Sequence, residues 1–233
     1  MTCRRILALV FAASLPLAGC QSRTAERSGE TTPPEPTAKA DSPRDAATPD
    51  GRPVIVAFGD SLTAGYGADS GDSYPDYLEK DLNASGYHYQ EINQGISGNT
   101  TKDGVDRLQD VLSLKPVLVI VAFGGNDGLR GLPIANTREN LDRIVSTLQQ
   151  SGVKVVLGGI TLPPNYGADY IRQFNQTYAL LAAKHHVPML PFLLKDVYGV
   201  AGDMQADGIH ATDQGNAQVA RNLLPLIEPL LKK

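Results

Sequence analysis

Val54-Ile55-Val56-Ala57-Phe58-Gly59-Asp60-Ser61-Leu62-Thr63-Ala64-Gly65-Tyr66-Gly67 is an apolar run that stops at a glycine and a polar turn. A short run without polar alternation reads as a strand covered on both faces. A serine on the tight turn ending such a strand is exposed at the sheet edge. Gly59 lets backbone approach there with no Cβ in the way. That is a position for a nucleophile. Phosphate binding is the competing reading, but no Gly-Lys-Ser/Thr follows, and the glycines are not spaced as G-x-G-x-x-G.

Outward from this stretch the pattern repeats. Further strands are expected over 89–93, 117–122, 153–160 and 188–190, and helices over 74–85, 101–113, 137–151, 170–185 and 214–231, the last broken or ended near Pro225. Five alternations of strand and helix predict an α/β protein, a three-layer α/β/α sandwich with a five-stranded parallel sheet. Ligands in that architecture bind beyond the carboxyl ends of the strands.

Three more segments fall at that edge. After the second strand comes Asn93-Gln94-Gly95-Ile96-Ser97-Gly98-Asn99-Thr100, and after the third Gly124-Gly125-Asn126-Asp127-Gly128. Their glycines admit backbone N–H groups to a ligand, and an adjacent Asn adds a side-chain donor, the parts of an oxyanion hole. A plain turn has the same composition. Before the final helix stands Asp207-Gly208-Ile209-His210, a spacing that brings a carboxylate to one imidazole nitrogen and leaves the other to face a serine hydroxyl. His88, His185 and His186 have no Asp so placed.

The 233 residues suffice for one domain with appendages, and the formal charge of −4, without a basic stripe or Trp, argues against a nucleic acid partner. The two cysteines, Cys3 and Cys20, precede any core, so the domain needs neither a disulfide nor a Cys nucleophile. Arg4 and Arg5 before the apolar run 6–17 suit a secretory signal, residues 1–19. Leu17-Ala18-Gly19-Cys20 resembles the bacterial lipobox, which makes Cys20 the lipidated mature N-terminus; an ordinary signal with an incidental Cys is the alternative. From Gln21 to Pro53 there is no Val, Ile, Leu, Met or aromatic residue, so residues 20–52 are expected to be a Pro-rich tether and 53–233 the domain. The expected location is the bacterial cell envelope, on the outer membrane facing the periplasm, because Gln21 and Ser22 lack the Asp that retains lipoproteins at the inner membrane.

All four edge segments, in this order, resemble the SGNH hydrolase superfamily, also called the GDSL esterases, whose name residues match Ser61, Gly98, Asn126 and His210. The resemblance narrows toward the bacterial thioesterase I, lysophospholipase and arylesterase branch through 59–66, 124–131, 162–167, 187–192 and 204–210. It implies a flavodoxin-like fold, a catalytic triad of Ser61, Asp207 and His210, and an oxyanion hole from Ser61, Gly98 and Asn126. It further implies ester or thioester hydrolysis through an acyl-enzyme, acting on a small acyl ester or lipid, with no metal or cofactor and as a monomer. Acyl-chain contacts are expected from Leu129, Arg130, Leu132 and Pro133 and from Leu162, Pro163, Pro164, Asn165 and Tyr166. Ala211 departs from the family's usual Pro after the histidine, and the lipobox and tether are additions to this branch. A carbohydrate O-acetylesterase and a noncatalytic ligand-binding lipoprotein are the alternatives.

Overall fold

Continuous apolar runs can be satisfied only where both faces of a sheet are covered, and that is where they lie. A computed structural model describes residues 49–233; the expected signal, Cys20 and most of the expected tether lie outside the described residues. In chain order the elements are β1 (Val54–Gly59), α1 (Ser61–Ala64), α2 (Tyr74–Ala84), β2 (Gln90–Gly95), α3 (Thr101–Asp106), α4 (Leu108–Ser113) and β3 (Leu118–Ala122). They continue with α5 (Gly125–Leu129), α6 (Ile134–Gln150), β4 (Lys154–Gly158), α7 (Ala168–His185), β5 (Met189–Leu190) and α8 (Asp213–Ile227). The five strands are parallel in the order β2-β1-β3-β4-β5. Helix α2 packs with α8, and α6 packs with both α3 and α7, giving the three-layer α/β/α sandwich. Every residue of β1 and β3 is buried, whereas β2, at the sheet's end, buries Gln90 and Ile92 and leaves the others partly open.

The chain leaves β1 to one side for β2 and returns to the other side for β3. The loops after β1 and β3 therefore part at a topological switch point, where a crevice opens at the carboxyl edge. Capping boxes at Ser73/Asp76 and Thr100/Asp103 start α2 and α3, and Thr212 caps α8.

Some boundaries differ from the sequence expectation. The single helix over 101–113 is two helices meeting at Arg107, whose guanidinium turns inward to donate to the carbonyls of Gln94 (3.2 Å) and Gly59 (3.5 Å). Helix α8 does end near Pro225, as expected, closing two residues later at Ile227. The proline and Arg221, whose carbonyl loses its partner, are both exposed, so water can take the freed acceptor. Asp50 and Arg52, read as tether, are held on the domain: Asp50 N–H donates to Gln90 Oε1 and Arg52 pairs with Glu79.

Gly95 ends β2 opposite Gly59 and has the N-terminal helix of the site pressed onto it. A Cβ at Gly95 would stand 2.1 Å from Ala64 N and 2.6 Å from Thr63 C, both backbone atoms that cannot rotate away. Gly95→Ala is expected to cost at least about 2 kcal/mol of stability by overpacking. The check is urea unfolding, in which the midpoint should fall with the slope unchanged.

Candidate active site

Ser61 is placed by the way β1 ends. Asp60 caps α1, its Oδ1 accepting Leu62 N–H at 3.1 Å, and the four-residue helix closes at Gly65 in the left-handed conformation. Ser61, the first helical residue, thereby stands at the mouth of the crevice.

The other partner comes from the long segment 191–212 between β5 and α8. Its end is a tight hairpin in which Met204 and Ala211 form an antiparallel bridge and Gln205 N–H donates to His210 O at 2.8 Å. Gln205 Nε2 donates to Tyr66 O (2.6 Å) and Ala211 O (2.8 Å), joining this hairpin to the loop after Ser61. Ala211 is buried and fixed by these backbone contacts, so the hairpin is held without the family's proline. His210 Nε2 lies 2.9 Å from Ser61 Oγ and its Nδ1 2.6 Å from Asp207 Oδ2, while the Tyr66 ring rests against the imidazole at 4.6 Å between centroids.

Asp207 Oδ1 accepts the N–H groups of Ile209 (2.9 Å) and His210 (3.0 Å). Burial raises the Asp207 carboxyl, but the hydrogen bonds from the His210 ring and from these two amides outweigh it and hold the group below the usual carboxylate range. An ionised carboxylate only accepts, so the proton sits on Nδ1 and Nε2 is left to accept from the serine hydroxyl.

Asn126, on α5, donates through Nδ2 to Asn99 O at 2.9 Å, a bond that orients the amide and uses one of its two N–H groups. Gly98 adopts φ +81, which a side chain would resist, in the turn closed by Asn99 N–H to Ile96 O. These two loops are tied together by Asp127. Its buried carboxylate accepts Thr101 N–H (2.9 Å), Thr101 Oγ1–H (2.5 Å) and Thr137 Oγ1–H (3.3 Å).

A cavity of about 220 Å³ opens beside Ser61, Asn126 and His210, with mostly apolar walls. Of the residues expected to contact an acyl chain, Leu129, Leu162, Pro163 and Pro164 wall it. The rest stand elsewhere. Arg130 donates to Gly98 O at 3.0 Å, Leu132 and Pro133 are exposed with Pro133 capping α6, Asn165 is exposed, and Tyr166 packs on the core and donates to Leu129 O at 2.9 Å. Gly98 is not a wall residue either.

The far wall escapes sequence reasoning: Ile160, Phe192, Leu194, Tyr198 and Ile209. Aromatic residues in a segment as long as 191–212, without regular structure, are the one signal available for it. Asp60 escapes it as well. It is 1% exposed, walls the cavity next to Ser61, and has its carboxyl raised to about 7, chiefly by burial and further by the charge of Asp127.

The chain is similar to known proteins in both sequence and fold. The chain is 41% identical to esterase TesA of Pseudomonas aeruginosa over 179 residues, 76% of this chain and 89% of that protein. It is 34% identical to thioesterase 1/protease 1/lysophospholipase L1 of Escherichia coli over 179 residues, 76% of this chain and 85% of that one. The crystal structure of TesA superposes with a TM-score of 0.73 at 41% identity, covering 76% of this chain and 99% of that chain. The profile of the GDSL-like lipase/acylhydrolase family matches residues 57–218, and with these relatives it establishes that the chain belongs to that family and is a carboxylic ester hydrolase of the SGNH type.

Proposed function

We propose that Ser61 is the nucleophile of a hydrolase for apolar acyl esters and thioesters, single-chain lipids among them. His210 Nε2 takes the Ser61 hydroxyl proton as Oγ bonds to the acyl carbon, and the imidazolium returns that proton to the departing alcohol or thiol. Water then attacks the acyl-enzyme, giving a proton to His210, and the acid leaves as Ser61 recovers its own. Asp207 holds the ring in the required tautomer and stabilises its charged form. The developing oxyanion is met by the backbone N–H groups of Ser61 and Gly98 and by the second N–H of Asn126. Residues 1–19 are a signal peptide, Cys20 carries the lipid, and 20–52 tether the enzyme to the outer membrane on its periplasmic side.

What supports this most directly is the chain of two hydrogen bonds, 2.9 Å from Ser61 to His210 and 2.6 Å from His210 to Asp207, at the mouth of an apolar cavity. The activities that name the Escherichia coli relative, thioesterase and lysophospholipase, fit the same walls. At about 220 Å³ the cavity is smaller than the roughly 300–1,000 Å³ of sites that enclose whole drug-sized ligands, so it suits the acyl segment next to the ester.

A fluorophosphonate should therefore add covalently to Ser61, located by peptide mass spectrometry, and turnover of p-nitrophenyl esters should rise from acetyl toward longer acyl chains. Absence of label on Ser61 would remove the nucleophile assignment. A preference for acetyl would move the substrate to acetylated carbohydrates.

A further inference from the structure

The apolar wall of the cavity continues onto the surface around its mouth. Among the described residues seven large apolar side chains stand exposed, and five of them, Ile96, Leu132, Tyr198, Val200 and Ile209, lie on segments at the carboxyl edge of the sheet. Single exposed apolar residues are ordinary on any protein. Their gathering at one edge is not, and such patches mark interaction surfaces. Tyr198 and Ile209 wall the cavity itself. Ile96 follows β2 at one end of the sheet and Val200 follows β5 at the other, so they flank the mouth from opposite sides. Segments 96–100 and 160–167 contain no Asp, Glu, Lys or Arg, and the exposed charges Lys195 and Asp196, on the segment that carries Tyr198 and Val200, are paired with each other at 2.8 Å. Of the other charges nearby, Asp127 is buried, and Arg130, which is exposed, donates to Gly98 O.

We propose that this collar docks on a phospholipid bilayer, so that a single-chain lipid ester passes from the membrane plane into the cavity. The proposal rests on the hydrolase reading of the site. An apolar rim with few charges suits the boundary between headgroups and acyl chains, and a cavity too small for a whole lipid leaves the rest of its chain on that rim. The attachment of the chain is compatible. Asp50 meets the domain beside Gln90, at the amino end of β2 and away from the mouth. The roughly thirty residues from Cys20 to Asp50 span up to about 100 Å when extended. A domain of this size is roughly 40 Å across. An anchor at Cys20 therefore leaves the mouth free to turn onto the same bilayer.

The test uses the mature chain carrying Cys20→Ser, so that no acyl chain contributes, floated through a density gradient with dioleoylphosphatidylcholine vesicles. This protein should rise with the vesicles. Adding Ile96→Glu and Val200→Glu should reduce the floated fraction at least tenfold while p-nitrophenyl acetate turnover in vesicle-free buffer stays within twofold. The milder pair Ile96→Ser and Val200→Ser should move flotation the same way by about threefold, and Leu180→Glu, on the exposed face of α7, should not move it. Failure of the Cys20→Ser chain to float, or equal flotation of the paired variants, would overturn the docking surface. Ser61 labelling without flotation would leave the hydrolase standing and remove the docking alone, whereas flotation without labelling would do the reverse.

Discussion

Asp207→Asn is expected to lower kcat for p-nitrophenyl butyrate about 10⁴-fold while leaving the fold intact. The carboxylate does two separable things here. Its Oδ1 accepts the N–H groups of Ile209 and His210, which an Asn Oδ1 can do equally, so the hairpin that carries the histidine should keep its shape. Its Oδ2 faces His210 Nδ1 at 2.6 Å, and there an Asn presents an N–H instead of an acceptor. Nδ1 must then be the unprotonated nitrogen, the proton moves to Nε2, and the ring can no longer accept from Ser61 Oγ 2.9 Å away. Residues acting as one unit do not add. Ser61→Ala should cost about 10⁶-fold, and His210→Ala introduced on top of it almost nothing more. Rates within tenfold of the parent for Asp207→Asn, at matched unfolding midpoints, would show that the charge of Asp207 is not used.

How much of the fold and the site is legible in the amino-acid sequence depends on how locally each feature is encoded. Buried strands β1 and β3 announce themselves because a sheet covered on both faces admits no polar alternation. Strand β4 reads too long in the sequence, over 153–160, because the apolar run continues into Ile160, which has left the sheet to wall the cavity. Ser61, Asn126, Asp207 and His210 can be picked out because each is a chemically able residue within two positions of a glycine at an expected strand end or helix start, and the fold brings these four to one crevice. Nothing local marks the opposite wall. Phe192, Tyr198 and Ile209 sit in a segment with neither period, and their meeting depends on how 191–212 folds back over the sheet edge. Arg107 is hidden for a related reason. On a helix it resembles any solvated charge, yet it lies over the Phe58 ring at 4.9 Å and braces the carbonyl ends of β1 and β2.

Asp60→Asn is expected to stabilise the protein by about 4 kcal/mol near pH 8 and to leave it unchanged near pH 4. Asp60 is 1% exposed, and burial, assisted by the charge of Asp127 and opposed by the Leu62 N–H bond, carries its carboxyl from 3.8 to about 7. Between those values the folded protein keeps a proton that the unfolded chain has released. Stability must therefore fall as the pH rises through this window, by about 1.4 kcal/mol per unit, and the loss is complete above the folded value. An Asn carries no such proton and still offers an oxygen to cap α1, so its stability should not fall in this way on Asp60's account. Glu91, whose two carboxylate oxygens are buried without a hydrogen-bond partner, is also raised by burial and adds a decline of the same sign in both proteins. The quantity that isolates Asp60 is thus the difference between parent and variant, taken from urea unfolding at pH 4, 5, 6, 7 and 8. A difference that grows from pH 4 to about 7 and then levels off would place a carboxyl beside Ser61 that changes charge near neutrality. One that stays constant would mean that Asp60 ionises as an ordinary surface carboxylate does, and the penalty assigned to its burial would be withdrawn.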